Sequence, residues 1–184
     1  MRIEKLKREY EIAIRWRSFP LHPDTPEDGL LLEQLFAGTP VDVGKMMKKL
    51  RKTADDLGLP FGEREKTYNS RLSQELGLWA ESKNKGDVFH NAVFRAYFAD
   101  GKNIAKVPVL LDLAESAGLS REEASAVIET RAFKAAVDAD WALSREMEIT
   151  AVPTFVMKRE KLVGAQPYDM LEMFMAANKI KKRS

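Results

Sequence analysis

Residues 149–167 read ITAVPTFVMKREKLVGAQP, and their pattern decides how the rest of the chain is to be read. VPTFVM (152–157) is a short apolar run with β-branched members, KREK (158–161) is a charged turn, and LVG (162–164) is a second short strand, so the stretch predicts a β-hairpin. AQPYDMLEMFMAAN (165–178) follows with Pro167 near its start and Leu171, Phe174 and Met175 on one stripe, which predicts a terminal helix.

Working outward from that hairpin, the only other strand signal lies near the opposite end. EIAIRWR (11–17) alternates, with Ile12, Ile14 and Trp16 on one face. SFPLHPDTPEDG (18–29) carries Pro20, Pro23 and Pro26 and reads as an irregular connection. Everything between that connection and the hairpin has helical grammar. Thr39 caps and Pro40 opens a helix with Val43, Met46, Met47, Leu50, Ala54 and Leu57 on its apolar face, stopped by Gly58. Ser70 caps a helix bearing Leu72, Leu76 and Trp79, and Asp87 caps one bearing Phe89, Val93, Ala96 and Tyr97 that closes near Gly101. Pro108 starts another, ending at Gly118; SREE (120–123) is a capping box, with Ser120 and Glu123 satisfying each other's amides. A last helix spans about Thr130 to Glu146, with Phe133, Val137 and Trp141 inward. Sheet at both ends and helix between predict an α/β domain interrupted by a helical insertion.

Composition excludes several functions. Hydrophobic residues at 45% and charged residues at 32% of 184 describe an ordinary globular chain. No apolar run is long enough to span a bilayer, and MRIEKLKREY (1–10) has no apolar signal core, so no membrane role is expected. The net charge of +2 is too small to suggest nucleic acid; KIKKRS (179–184) reads as a solvated, frayed tail. The chain contains no cysteine, which removes disulfides, thiolate ligands and thiol nucleophiles, and His22 and His90 are far apart, so neither a metal site nor a cofactor is expected. His90, beside Phe89 in a helix, reads as structural, and the Asp and Glu residues fall mostly opposite apolar stripes. No catalytic residue is assigned.

Taken in order, RWRSFPLHPDTPEDG (15–29), YNSRLSQELGLWAE (68–81), FHNAVFRAYFADGKNIA (89–105), ITAVPTF (149–155) and VGAQPYDMLE (163–172) resemble the DsbA-like branch of the thioredoxin superfamily, and within it the cytoplasmic FrnE-type group. The resemblance implies a single domain, 1–184, with thioredoxin-like parts 1–20 and 147–184 and a helical insertion 21–146. It implies that Pro153 follows a cis peptide bond and that the backbone of Val152 is open to an extended peptide or protein substrate, which makes Val152 and Pro153 the substrate-binding residues. By the same analogy His22 could approach the active-site face.

The sequence departs from that family at its start. MRIEKLKREY resembles the later part of the family's first helix, so the central strand and the Cys-Pro-x-Cys turn are expected to lie upstream of Met1. Without them EIAIRWR and VPTFVM lack their shared neighbour, and unpaired strand edges invite another chain. A twofold homodimer is therefore expected, in which residues near the N-terminus or EIAIRWR of one copy complete the sheet of the other; Ile3 and Leu6 sit in a segment too charged to fill a central strand. Three functional readings follow: a thiol–disulfide oxidoreductase domain by descent that is inactive in exchange; a non-catalytic peptide-binding or self-associating module; and an enzyme akin to kappa-class glutathione transferases and 2-hydroxychromene-2-carboxylate isomerases.

Overall fold

The computed structural model describes residues 2–183; Met1 and Ser184, the outer ends of the MRIEKLKREY and KIKKRS segments, lie outside the described residues. The chain divides into two compact units, one drawn from its two ends (up to Leu21 and from Asp140 onward) and one formed by His22–Ala139.

The first, the hairpin unit, is built on α1 (Arg2–Glu9), the strands β3 (Thr154–Met157) and β4 (Glu160–Val163), and α9 (Tyr168–Ala177). Its core joins Leu6 and Tyr10 to Leu171 and Met175, with Phe155, Met157 and Leu162 of the hairpin packed against them. Of the KIKKRS segment, residues 181–183 are held rather than frayed: Tyr10 bridges to Lys182, the Glu11 amide donates to the Lys181 carbonyl at 3.0 Å, and the Arg183 amide donates to the Glu9 carbonyl at 2.9 Å. The end of α1 thus offers backbone groups that the tail takes up. Tyr168 adds to this clasp, its hydroxyl donating to Glu9 at 2.8 Å.

The second, helical unit contains β1 (Leu30–Leu31), α2 (Leu32–Leu35), α3 (Val43–Asp56), β2 (Lys66–Thr67), α4 (Arg71–Ser82), α5 (Gly86–Phe98), α6 (Val107–Ser116) and α7 (Arg121–Thr130); α8 (Lys134–Glu146) begins in it and runs across the division. Leu76, Phe89, Leu110 and Ala124, each fully buried, show that α4 to α7 turn their apolar stripes inward as their spacing predicts. Beneath them lies a charged knot. Glu75 is 2% exposed and receives Nε of Arg131 at 2.8 Å, Nη2 of Arg131 at 2.6 Å and Nε of Arg71 at 2.7 Å, while Arg71 Nη2 donates to Asp138 at 2.7 Å. Burial alone would raise the Glu75 pKa, but hydrogen bonds from Arg131 and Arg71 outweigh it and hold the carboxyl below its usual range. Arg131 has a φ of 52°, the left-handed value that ends α7 before α8 begins.

Several local expectations are corrected. Residues 11–17 form no strand: Ile12 and Ile14 keep the alternation as half-buried residues, but Trp16 is 43% exposed, and among the described residues no ladder partner fixes the segment. A strand exists only where a neighbour takes its backbone groups, and periodicity alone supplies none. Segment 11–19 is instead anchored by Asp140, 3% exposed, which accepts from Arg17 Nη1 at 2.7 Å and the Ser18 amide at 2.9 Å. Asp42, not Thr39, caps α3 by accepting from the Lys45 amide at 2.9 Å, because Thr39 turns back to the Phe36 carbonyl. Leu50 and Leu57 of that helix are each 40% exposed rather than inward. The SREE box is half made: Ser120 accepts from the Glu123 amide, but its hydroxyl donates to Glu122. Asp87 lies inside the first turn of α5 instead of capping it, α8 starts at Lys134 rather than Thr130 because Arg131 breaks the run, and the turn of the hairpin narrows to Lys158 and Arg159. The antiparallel β1–β2 pair had no sequence signal beyond two residues on each side.

Candidate peptide-binding edge

The hairpin begins where the chain leaves Ile149. Thr154 Oγ1 donates to the Ala151 carbonyl at 2.7 Å and closes a turn over residues 151–154. The Val152–Pro153 peptide bond inside that turn is cis, and Val152 is 46% exposed. β3 and β4 pair antiparallel with Thr154 opposite Val163, Phe155 opposite Leu162, Val156 opposite Lys161 and Met157 opposite Glu160. Lys158, at φ 56°, takes the left-handed conformation that a two-residue hairpin turn requires.

The register shows which backbone groups face which way. The Gly164 amide donates to the Pro153 carbonyl at 2.7 Å, so residue 153 points its carbonyl at β4. Antiparallel pairs alternate between exchanging and not exchanging their bonds, so Phe155 and Met157 also bond toward β4. The N–H and C=O groups of Thr154 and Val156 therefore point away from β4. β3 belongs to a two-stranded sheet, and among the described residues no strand lies on that outward side.

Side chains divide in the same rhythm. Phe155, Met157 and Leu162 enter the core with α1 and α9, which fixes the hairpin in place. Val156 and Val163 face the other way and are 38% and 50% exposed, and Val152, in the turn that precedes the strand, is 46% exposed. Gln166 Nε2 donates to the Val163 carbonyl at 2.6 Å and Arg2 Nη1 donates to the Gln166 carbonyl at 3.1 Å, so the end of β4 is held by α1. Both strands of the pair keep an outer edge; β4 carries Glu160 and Lys161, whereas β3 presents an uncharged row, Val152 to Met157, with no lysine or glutamate to discourage a second strand.

Of the residues that sequence reading marked, Val152 and Pro153 sit together at the start of this edge. His22 belongs to the helical unit, edge-on to Phe36 at 6.2 Å, and burial followed by the charge of Arg64 lowers its pKa, so it is neutral near pH 7. His90 stacks on Phe94 and meets Glu81 at 3.2 Å across α4 and α5. The roles of Thr154 and Val156 were not read from the sequence; an alternating register counted from the turn would have found them. No helix among the described residues is long and apolar enough to cross a membrane.

The model of the DSBA-like thioredoxin domain matches residues 1–176. The chain belongs to that family. A crystal structure of a probable DsbA oxidoreductase, SCO1869 of Streptomyces coelicolor, superposes with a TM-score of 0.87 at 26% identity, covering 97% of this chain and 82% of that one. A 2-hydroxychromene-2-carboxylate isomerase superposes with a TM-score of 0.72 at 19% identity, covering 97% of this chain and 85% of that one, a likeness of fold. Among curated proteins, YwbO of Bacillus subtilis (strain 168) is 32% identical over 105 residues, 56% of this chain and 52% of that protein. The match thus spans about half the length of the curated relative. The DsbA-like fold explains why a small sheet accompanies so much helix.

Proposed function

We propose that this DsbA-like domain binds extended polypeptide along the outer edge of β3, starting at Val152 and Pro153, and does not itself exchange disulfides. The observation that carries the reading is the pairing of an open, uncharged strand edge with a chain that has no cysteine. Thiol–disulfide exchange requires a thiolate to attack sulfur, and no other side chain replaces it. Strand addition requires only backbone groups in register, which Thr154 and Val156 present. Descent from cytoplasmic FrnE-type oxidoreductases is part of the proposal; the superposition on the probable DsbA oxidoreductase of Streptomyces coelicolor supports its coarser half, a DsbA-like ancestry. A second copy of this chain is one polypeptide that could occupy the edge, which would give the twofold dimer.

The peptide would lie beside β3 with its N–H and C=O groups meeting those of Thr154 and Val156, and its alternate side chains would rest beside Val152 and Val156. Affinity would come from the backbone and preference from the valines, favouring apolar segments over charged ones.

Val156→Pro tests this. Proline removes the outward N–H of residue 156 while leaving the bonds of residues 155 and 157 to β4 in place. With fully alkylated insulin B chain as the probe, the native chain should bind saturably and Val156→Pro should not, while both retain the same circular dichroism. Insulin reduction should stay at the no-enzyme rate. Absence of binding, or binding unchanged by Val156→Pro, would overturn the peptide reading; turnover above the blank would overturn the inactive one.

A further inference from the structure

The terminal helix α9 is apolar on both of its faces. Leu171 and Met175, each 2% exposed, enter the core of the hairpin unit, and Tyr168 and Phe174 pack beside them. Successive residues advance about 100° around a helix, so Met170, Met173 and Ala177 fall together on the side away from that core, with Asp169 and Ala176 at its margin. All five are exposed, Met173 at 63%. Asp169 is the only charged side chain among them. Glu172, the other charge of α9, lies off this face, where its carboxylate accepts from the Tyr10 hydroxyl at 3.3 Å and from Lys182 at 3.2 Å.

A helix at a protein surface ordinarily turns a polar stripe to water, and one that is apolar all round belongs in an interior. A single exposed methionine needs no explanation, but a whole helix face without a polar stripe calls for a cover. An anionic lipid surface fits poorly, because α9 holds two acids and no base.

The face is instead its own complement. Its large residues, Met170 and Met173, lie in the N-terminal half, and its small ones, Ala176 and Ala177, in the C-terminal half. Across a twofold axis near Met173, an antiparallel second α9 sets Ala177 opposite Met170 and Met170 opposite Ala177. Each long side chain then enters the space beside a small one, and Met173 meets its own counterpart at the axis. The ends agree with the middle. Asp169 stands in the first turn and Lys179 just beyond the last; both are exposed, and neither enters an ion pair among the described residues. The antiparallel crossing brings each Asp169 beside Lys179 of the second copy, twice over by symmetry, and opposes the two helix dipoles. A parallel crossing would set Asp169 against Asp169.

We propose that the outer face of α9 is an interaction surface for a second copy of this chain, packed antiparallel across a twofold axis at Met173. This surface uses no residue of the β3 edge and stands without the peptide reading. It also differs from the dimer expected of unpaired strands, which joins copies through the N-terminus or residues 11–17. One ten-residue helix per copy falls well short of the standard interface of about 1,600 Å², so the dimer is weak, with a dissociation constant on the order of 100 µM.

Sedimentation equilibrium from low to high micromolar concentration tests this. The native chain should fit a monomer–dimer equilibrium, and Met173→Glu should remain monomeric throughout. Asp169→Lys, which creates two repulsive pairs per dimer, should weaken association about tenfold, and adding Lys179→Asp should restore it to within about threefold of native. Because the chain has no cysteine, Met173→Cys can be linked by a short bismaleimide only through that position. It should give a covalent dimer, whereas Val163→Cys, on β4 and 50% exposed, should not. A chain that stays monomeric, whatever else then takes the α9 face, would overturn the proposal. So would a dimer that survives Met173→Glu, a double charge swap no better than Asp169→Lys alone, or equal linking at Val163→Cys. Should Met173→Glu fail to fold, the cross-link and the charge swap decide.

Discussion

The helical unit and the hairpin unit close their polar groups in different ways. In the helical unit every long element satisfies its backbone internally, and the buried carboxylate of Glu75 is met by two arginines. In the hairpin unit β3 satisfies only one of its edges, and the groups of Thr154 and Val156 face outward. A helix is complete by itself; a strand is complete only with neighbours on both sides. The first unit is therefore built for stability, and the second keeps bonding capacity in reserve.

The largest expected contrast lies in the cores. Leu76→Ala, at a position with no exposure in the helical unit, should destabilise by about 3–4 kcal/mol, read as a lower urea midpoint. Val156→Ala, at a 38% exposed position on the hairpin, should cost under about 1 kcal/mol in the same assay. Equal losses would erase the distinction between a closed core and an open edge.

Next comes the charged knot. Glu75→Gln leaves Arg71 and Arg131 without their shared anion and should cost about 3 kcal/mol at pH 7. The folded-state pKa of Glu75 is depressed below its ordinary value of 4.5, so its contribution is full above that pH and is lost as pH falls through the folded value. Native protein should therefore lose more of its urea midpoint between pH 6 and pH 3 than Glu75→Gln does. Parallel pH curves would show that the knot contributes nothing specific. The smallest effect is expected at Tyr168→Phe, which removes one bond from the clasp between α9 and α1 and should cost about 1 kcal/mol.

The helices were legible because their signals are local. Leu76 and Trp79 on α4, and Phe89 and Val93 on α5, lie inward where their spacing put them. The hairpin was legible too, since VPTFVM and LVG flank a charged turn and Phe155 and Leu162 pair across it. Residues 11–17 were misread because Ile12, Ile14 and Trp16 carry the period of a strand, while a strand's existence depends on a partner distant in sequence. The held tail was missed for a related reason: nothing in KIKKRS announces that the backbone of Glu9 and Tyr10 will meet it. The outer face of α9 was passed over because one stripe, Leu171, Phe174 and Met175, already accounts for the helix, and nothing local says that Met170 and Met173 stay uncovered.

Backbone amide exchange on the hairpin tests the central claim most directly. In the free chain the amides of Thr154 and Val156 face the open edge, whereas those of Phe155 and Met157 face β4. Saturating alkylated insulin B chain should slow exchange at Thr154 and Val156 and leave Phe155 and Met157 nearly unchanged. Protection confined to other segments, or no change at Thr154 and Val156 under saturation, would contradict the assignment of the β3 edge as the binding surface.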